Sequence, residues 1–97
     1  MARQDRIGSH KTSVFTDTDG LTKVVYHSTP VVSFDAERII LNTGGYTTAT
    51  TKLRQNQASN QFALGFYVYQ REFAFYVDYR GTTYPLERRL ELSRMGA

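Results

Sequence analysis

The residues best suited to chemistry lie in one polar stretch, Asn42 to Gln61. It opens Asn42-Thr43-Gly44-Gly45-Tyr46, runs through Thr47, Thr48, Ala49, Thr50, Thr51, Lys52, Leu53 and Arg54, and closes on the amide run Gln55-Asn56-Gln57-Ala58-Ser59-Asn60-Gln61. Paired glycines tolerate positive φ and let the chain reverse sharply. A helix that begins just beyond them offers backbone N–H groups with partial positive charge, and such ends bind anions. The spacing therefore predicts a phosphate, nucleic-acid or partner site built from Gly44, Gly45, Thr48, Thr51, Lys52, Arg54, Asn56 and Gln57. Glycine amides and threonine hydroxyls would hold phosphate, Lys52 and Arg54 would neutralise it, and the amides of Asn56 and Gln57 would choose a base. A P-loop needs Gly-x-x-x-x-Gly-Lys-Ser/Thr. Here Lys52 lies between Thr51 and Leu53, so nucleotide hydrolysis is not expected. The same stretch admits a plainer reading, in which threonines cap a helix and amides satisfy strand ends or loop carbonyls, as buried polar groups must.

A second constellation is aromatic. Tyr67, Tyr69 and Tyr76 fall on one side of a hairpin pattern, with Gly65 leaving room beside them. Rows of this kind stack bases in single-strand binders, or they pack under a helix or against a second copy of the chain.

Catalytic and metal chemistry find little support. A nucleophile needs a base and an orienting group, and the only histidines are His10 and His27. Without cysteine a metal site would lean on carboxylates, and Asp35 and Glu37 do not form a spaced set. The chain is expected not to be an enzyme and to need no cofactor.

With 97 residues the chain has the length of a single domain with one small core. A hydrophobic content of 40% with 13% aromatics predicts a folded globule. The net charge of +3 is a mild bias that permits an anionic partner without demanding one. The lack of cysteine fits a reducing cytosol, and no run approaches the roughly 18 apolar residues of a membrane span. A cytoplasmic protein with no membrane partner is expected.

Around the polar stretch, alternation predicts strands over residues 21–26, 31–34 and 38–41 before it, and 62–70, 73–79 and 82–86 after it. Asp17-Thr18-Asp19-Gly20, Asp35-Ala36-Glu37-Arg38 and Arg80-Gly81 read as turns, and Pro30 as an interruption. A helix is expected from Thr48 to near Asn60, with only Ala49, Leu53 and Ala58 as an apolar stripe. The expectation is an α+β domain of order β-β-β-α-β-β-β, a small antiparallel sheet of four to six strands with one central helix. Residues 1–20 read as a flexible N-terminal arm, 21–86 as the domain, and 87–97 as a charged C-terminal tail.

The runs Tyr26-His27-Ser28-Thr29-Pro30-Val31-Val32, Ile39-Ile40-Leu41-Asn42-Thr43-Gly44-Gly45-Tyr46 and Thr48-x-Thr50-Thr51-Lys52-x-Arg54-x-Asn56-Gln57 resemble small proteins of tailed bacteriophages. The resemblance implies a virus-encoded accessory protein acting inside a bacterial host, and implies no particular activity. Three functions fit: binding of nucleic acid or a nucleotide, inhibition of a host protein in the manner of an anti-defence factor, and a structural role in the virion or its assembly. A homodimer is expected, since a short chain gains stability by pairing.

Overall fold

A computed structural model of the chain describes residues 12–26, 28–44 and 49–94. Four strands come first: β1 (Thr12–Thr16), β2 (Thr22–Tyr26), β3 (Thr29–Phe34) and β4 (Arg38–Asn42). One helix follows, α1 (Ala49–Gln61), and then β5 (Phe66–Arg71), β6 (Ala74–Tyr79), β7 (Thr82–Leu86) and β8 (Arg89–Ser93). The strands form two antiparallel sheets, one in the order β1-β2-β3-β4-β8 and one in the order β5-β6-β7. The chain passes from the first sheet to the second through α1, and returns through the short link between β7 and β8.

Period-two alternation decides which side of each sheet is buried. In the larger sheet Val24 lies opposite Val32, Val32 opposite Leu41, and Leu41 opposite Leu90, while Ile39 lies opposite Phe34 and Leu92. In the smaller sheet Phe66, Val68, Phe75, Val77, Tyr79 and Leu86 are buried, and with Ala58 of α1 both sheets contribute to one core cluster. Two further bonds tie the sheets together. Tyr79 donates its hydroxyl to Ser93 O (3.0 Å), and Arg80 donates to Arg94 O (3.1 Å).

The α+β class holds, with eight strands among the described residues rather than four to six, and two sheets there rather than one. Two strands escaped the reading of the chain ends. Residues 12–16, expected within a flexible arm, pair along their whole length with β2. Residues 89–93, expected within a charged tail, pair with β4. The reason is the same for both: neither segment shows a clean apolar stripe. All of β1 beyond Thr12 is exposed, and in β8 the inward Leu90 and Leu92 alternate with Arg89, Glu91 and Ser93. Residues 1–11 and 95–97 lie outside the described residues.

Pro30 does not interrupt a strand but lies inside β3. The register there steps, with Val24 opposite Val32 and Val25 opposite Pro30, so Val31 bulges without an opposite number. A bulge is where a sheet tolerates a residue that cannot donate.

At the other end of the domain Phe62 and Leu64 do not join β5. α1 closes with Phe62 N–H donating to Ala58 O (3.0 Å) and Leu64 N–H to Ser59 O (2.9 Å), with Ala63 at φ 54°. This is a Schellman-type stop, and it delays the strand to Phe66.

The β5–β6 hairpin turns on Glu72 and Phe73, at φ 51° and 70°. Two positive φ values in a two-residue loop are the type I′ turn that matches strand twist. Neither residue suits it, since left-handed geometry costs an ordinary residue about 1–2 kcal/mol. Replacing the pair (Glu72→Asn with Phe73→Gly) is expected to raise unfolding stability by about 1 kcal/mol or more in a urea titration. A loss of stability would show that Phe73 packs in a way its exposure does not suggest.

Two aspartates organise the other turns. Asp17 pairs with Lys23 (2.9 Å) and accepts N–H from Asp19 (2.9 Å) and Leu21 (3.2 Å). The Lys23 ammonium, helped by those amides, holds its carboxyl below the ordinary 3.8. Asp35 accepts N–H from Glu37 (2.8 Å) and Arg38 (3.0 Å), and those amides with the nearby arginines lower its carboxyl too. A carboxyl lowered in the folded state contributes fully above its unfolded value and loses that contribution as pH falls through the folded one. Asp35→Asn keeps an acceptor for the turn but does not titrate. Its urea midpoint is therefore expected to fall less steeply than that of the unsubstituted chain below about pH 4; parallel acid limbs would overturn this.

Candidate binding surface

α1 is a polar helix with a polar buried face. Thr51, Arg54, Gln55, Gln57, Ala58 and Ser59 are all buried. Leu53, the one large apolar residue, is only half-buried. The helix is held by side-chain bonds to strand backbone. Asn56 Nδ2 donates to Val68 O (2.8 Å), and Val68 N–H donates to Asn56 Oδ1 (2.7 Å). One turn on, Ser59 Oγ donates to Phe66 O (2.6 Å) and accepts N–H from Phe66 (3.0 Å). Phe66 and Val68 are buried on the inner face, but their main-chain groups point away from β6 along β5, an edge strand of the smaller sheet. Asn56 and Ser59, three apart on one helix face, thus supply the donors and acceptors that a neighbouring strand would. On the other side Gln55, fully buried, donates Nε2 to Val31 O at the β3 bulge (3.1 Å).

Most of the expected site is therefore turned inward. Arg54 is only 7% exposed. Its Nε donates to Thr12 Oγ1 (3.0 Å), its Nη1 donates to Gln57 Oε1 (3.1 Å), and its guanidinium lies 5.7 Å from the centre of the Tyr26 ring. Among the described residues no carboxylate pairs with it; polar acceptors and a ring face stabilise the charge instead. Arg54 and Gln57 join β1, β2 and α1, and Thr51 is buried beside them. Gly44 gives its N–H to Asn42 Oδ1 (2.7 Å), which removes it from any anion. Its place in the turn is steric. At φ +66°, an added Cβ would come within 2.8 Å of Thr29 Oγ1. Gly45 and Thr48, like His10 and His27, lie outside the described residues.

Of the eight residues, Lys52 and Asn56 are among those that border open space, and Asn56 spends its amide on Val68. Lys52 lines a groove of about 500 Å³ between α1 and β5, together with Ala49, Leu53, Asn56, Asn60, Phe66 and Tyr67. Tyr67 leads out of the groove onto the outer face of the smaller sheet, where it is 59% exposed. There the three tyrosines stand in a row. Tyr67 and Tyr69 have ring centres 6.0 Å apart at 19°, and Tyr69 and Tyr76 have centres 5.9 Å apart at 29°. Tyr69 and Tyr76 are register partners, and Arg71 continues the Tyr67-Tyr69 side of β5 opposite the small Ala74. Asp78, opposite Tyr67, accepts from Tyr69 Oη (3.2 Å) and Thr83 Oγ1 (2.7 Å), which fixes the middle ring.

The expected polar site and the expected aromatic row thus meet at the groove through Lys52 and Tyr67. Asn60 was not singled out, although its spacing of four from Asn56 puts both on one helix face. Phe73, expected to open the strand over 73–79, instead tops the hairpin at 93% exposure. The signal for that was the pair Glu72-Phe73 standing between two alternating runs with no room for a longer loop. Among the described residues no three of His, Asp and Glu gather as a metal site, and no helix is long and apolar enough to cross a membrane.

Fold and surface together define a small α+β domain that offers a groove and an aromatic sheet face. The sequence model of the Kyanoviridae Gp96 protein family matches residues 1–91, and the chain belongs to that family of phage proteins. No curated protein and no solved structure matches it.

The clamp on β5 gives a direct test. Asn56→Ala would leave Val68 N–H and C=O without their partners. Unmade bonds of partly buried groups cost about 1–3 kcal/mol each, so a loss of at least about 1–3 kcal/mol in unfolding free energy is expected. A neutral outcome would mean that water replaces the clamp at no cost.

Proposed function

We propose that this phage protein is a non-enzymatic accessory factor of the infected bacterial cell that binds a phosphate-bearing partner, single-stranded nucleic acid, along the outer face of its smaller sheet. The observation that carries the reading is the tyrosine row with a cation at each end: Lys52 in the groove beside Tyr67, and Arg71 two residues beyond Tyr69. Tyr67 to Arg71 spans about 13 Å along an extended strand, room for two or three nucleotides. Bases would lie against the rings, and phosphates would reach the two cations. Asp78 disfavours a phosphate at mid-face, which assigns that part to bases. Stacking is tolerant of sequence, so little base preference is expected.

The exposed Phe73 favours a second reading, a protein-directed inhibitor that inserts this ring into an apolar cleft of a host protein, since aromatic side chains dominate such contacts.

Fluorescence anisotropy with a labelled single-stranded oligonucleotide separates the two. Tyr67→Ala is expected to weaken binding by about 1–3 kcal/mol. With two cations engaged, the logarithm of affinity should fall with the logarithm of salt with a slope of about −1.4. Phe73→Ala should leave both unchanged. No binding at low salt, or binding indifferent to Tyr67, would remove the nucleic-acid reading.

A further inference from the structure

Two sheets present four edges, and three of them are blunted. The β5 edge is covered by α1 through Asn56 and Ser59. The β7 edge carries Pro85, which has no N–H to offer. The β8 edge carries Arg89 and Glu91, 3.4 Å apart, and its Ser93 carbonyl already accepts from Tyr79. Charges, prolines and covering elements are the usual devices that stop sheets from pairing edge to edge. The fourth edge, β1, has none of them among the described residues. It reads Thr12-Ser13-Val14-Phe15-Thr16, uncharged and rich in strand-forming residues, with Val14 43% and Phe15 48% exposed.

The phase of the β1–β2 ladder shows which backbone groups face outward. Asp17 N–H donates to Leu21 O (2.9 Å), and hydrogen-bonded pairs alternate along an antiparallel ladder. Phe15 and Ser13, opposite Lys23 and Val25, therefore turn their main-chain groups to β2, and Val14 and Thr16 turn theirs away from it.

We propose that β1 is the homodimer interface, pairing antiparallel with β1 of a second copy about a two-fold axis at Val14. The strand is self-complementary in this register. Val14 meets the Val14 of the second copy as an outward-facing, hydrogen-bonded pair. Ser13 lies opposite Phe15, which brings the two Phe15 rings to diagonal positions on one face, within aromatic reach. No like charges oppose each other anywhere along it. A single pair of short strands is a small interface, so the dimer should dissociate on dilution. It lies on the other sheet from the tyrosine row and leaves that face open.

Proline separates this edge from the fold. Val14→Pro removes an outward N–H and leaves the β1–β2 ladder whole. Sedimentation velocity on the full chain, from low micromolar to several hundred micromolar, should show the mass rising from 11.1 kDa towards twice that value. Val14→Pro should stay at the monomer mass at every concentration, with an unchanged circular dichroism spectrum. Val14→Lys, which puts like charges opposite each other at the axis, should do the same. A chain that stays monomeric throughout, or a dimer indifferent to both substitutions, overturns the proposal.

Discussion

The two-way hydrogen bonding between Asn56 of α1 and the backbone of Val68 is the contact on which the architecture turns. A three-stranded sheet alone has two open edges and one apolar face, too little to stand in water. Asn56 and Ser59 close one edge, and in doing so they place Ala58 over the core between the sheets. The helix contributes little apolar area of its own. Its anchoring comes from matching donors and acceptors, which is why it is composed of amides and hydroxyls where most packed helices would show leucine.

That solution constrains what the rest of the surface can do. Once Asn56, Ser59, Gln55, Gln57 and Arg54 are engaged inside the molecule, the polarity of α1 is largely consumed by the fold. Lys52 and Asn60, on the helix side that faces the groove, are left near solvent. The open aromatic surface lies instead on the smaller sheet, whose inner face is filled with Phe66, Val68, Phe75 and Val77 and whose outer face keeps the tyrosines. A phenol suits such a face: the ring shelters backbone, and the hydroxyl stays in water or, as at Tyr69, holds a neighbour in place.

Much of this was legible residue by residue. The alternation from Phe66 to Tyr79 announces a hairpin with tyrosines on one side, because side chains on a strand must point in opposite directions in turn. Arg80-Gly81 and Asp17-Thr18-Asp19-Gly20 announce their turns because glycine accepts positive φ and aspartate bonds amides two residues on. Membership of a phage family was the coarse expectation, and the match over residues 1–91 shows that much without singling out particular runs. The strands at either end were hidden, since β1 has no buried face to give it a period and β8 masks two leucines among charges.

Local composition thus settled the α+β class, the hairpin and the helix, all of which rest on periodicity and backbone preference within a few residues. Where the amides and Arg54 point was beyond it. The same Asn, Gln and Arg serve equally well to read a base or to satisfy a strand, and only the partner that folding brings alongside chooses between them. For Asn56 that partner is Val68, twelve residues on, and for Arg54 it is Thr12, forty-two residues back. A hydrogen bond between groups so far apart in the chain leaves no trace in the spacing of either.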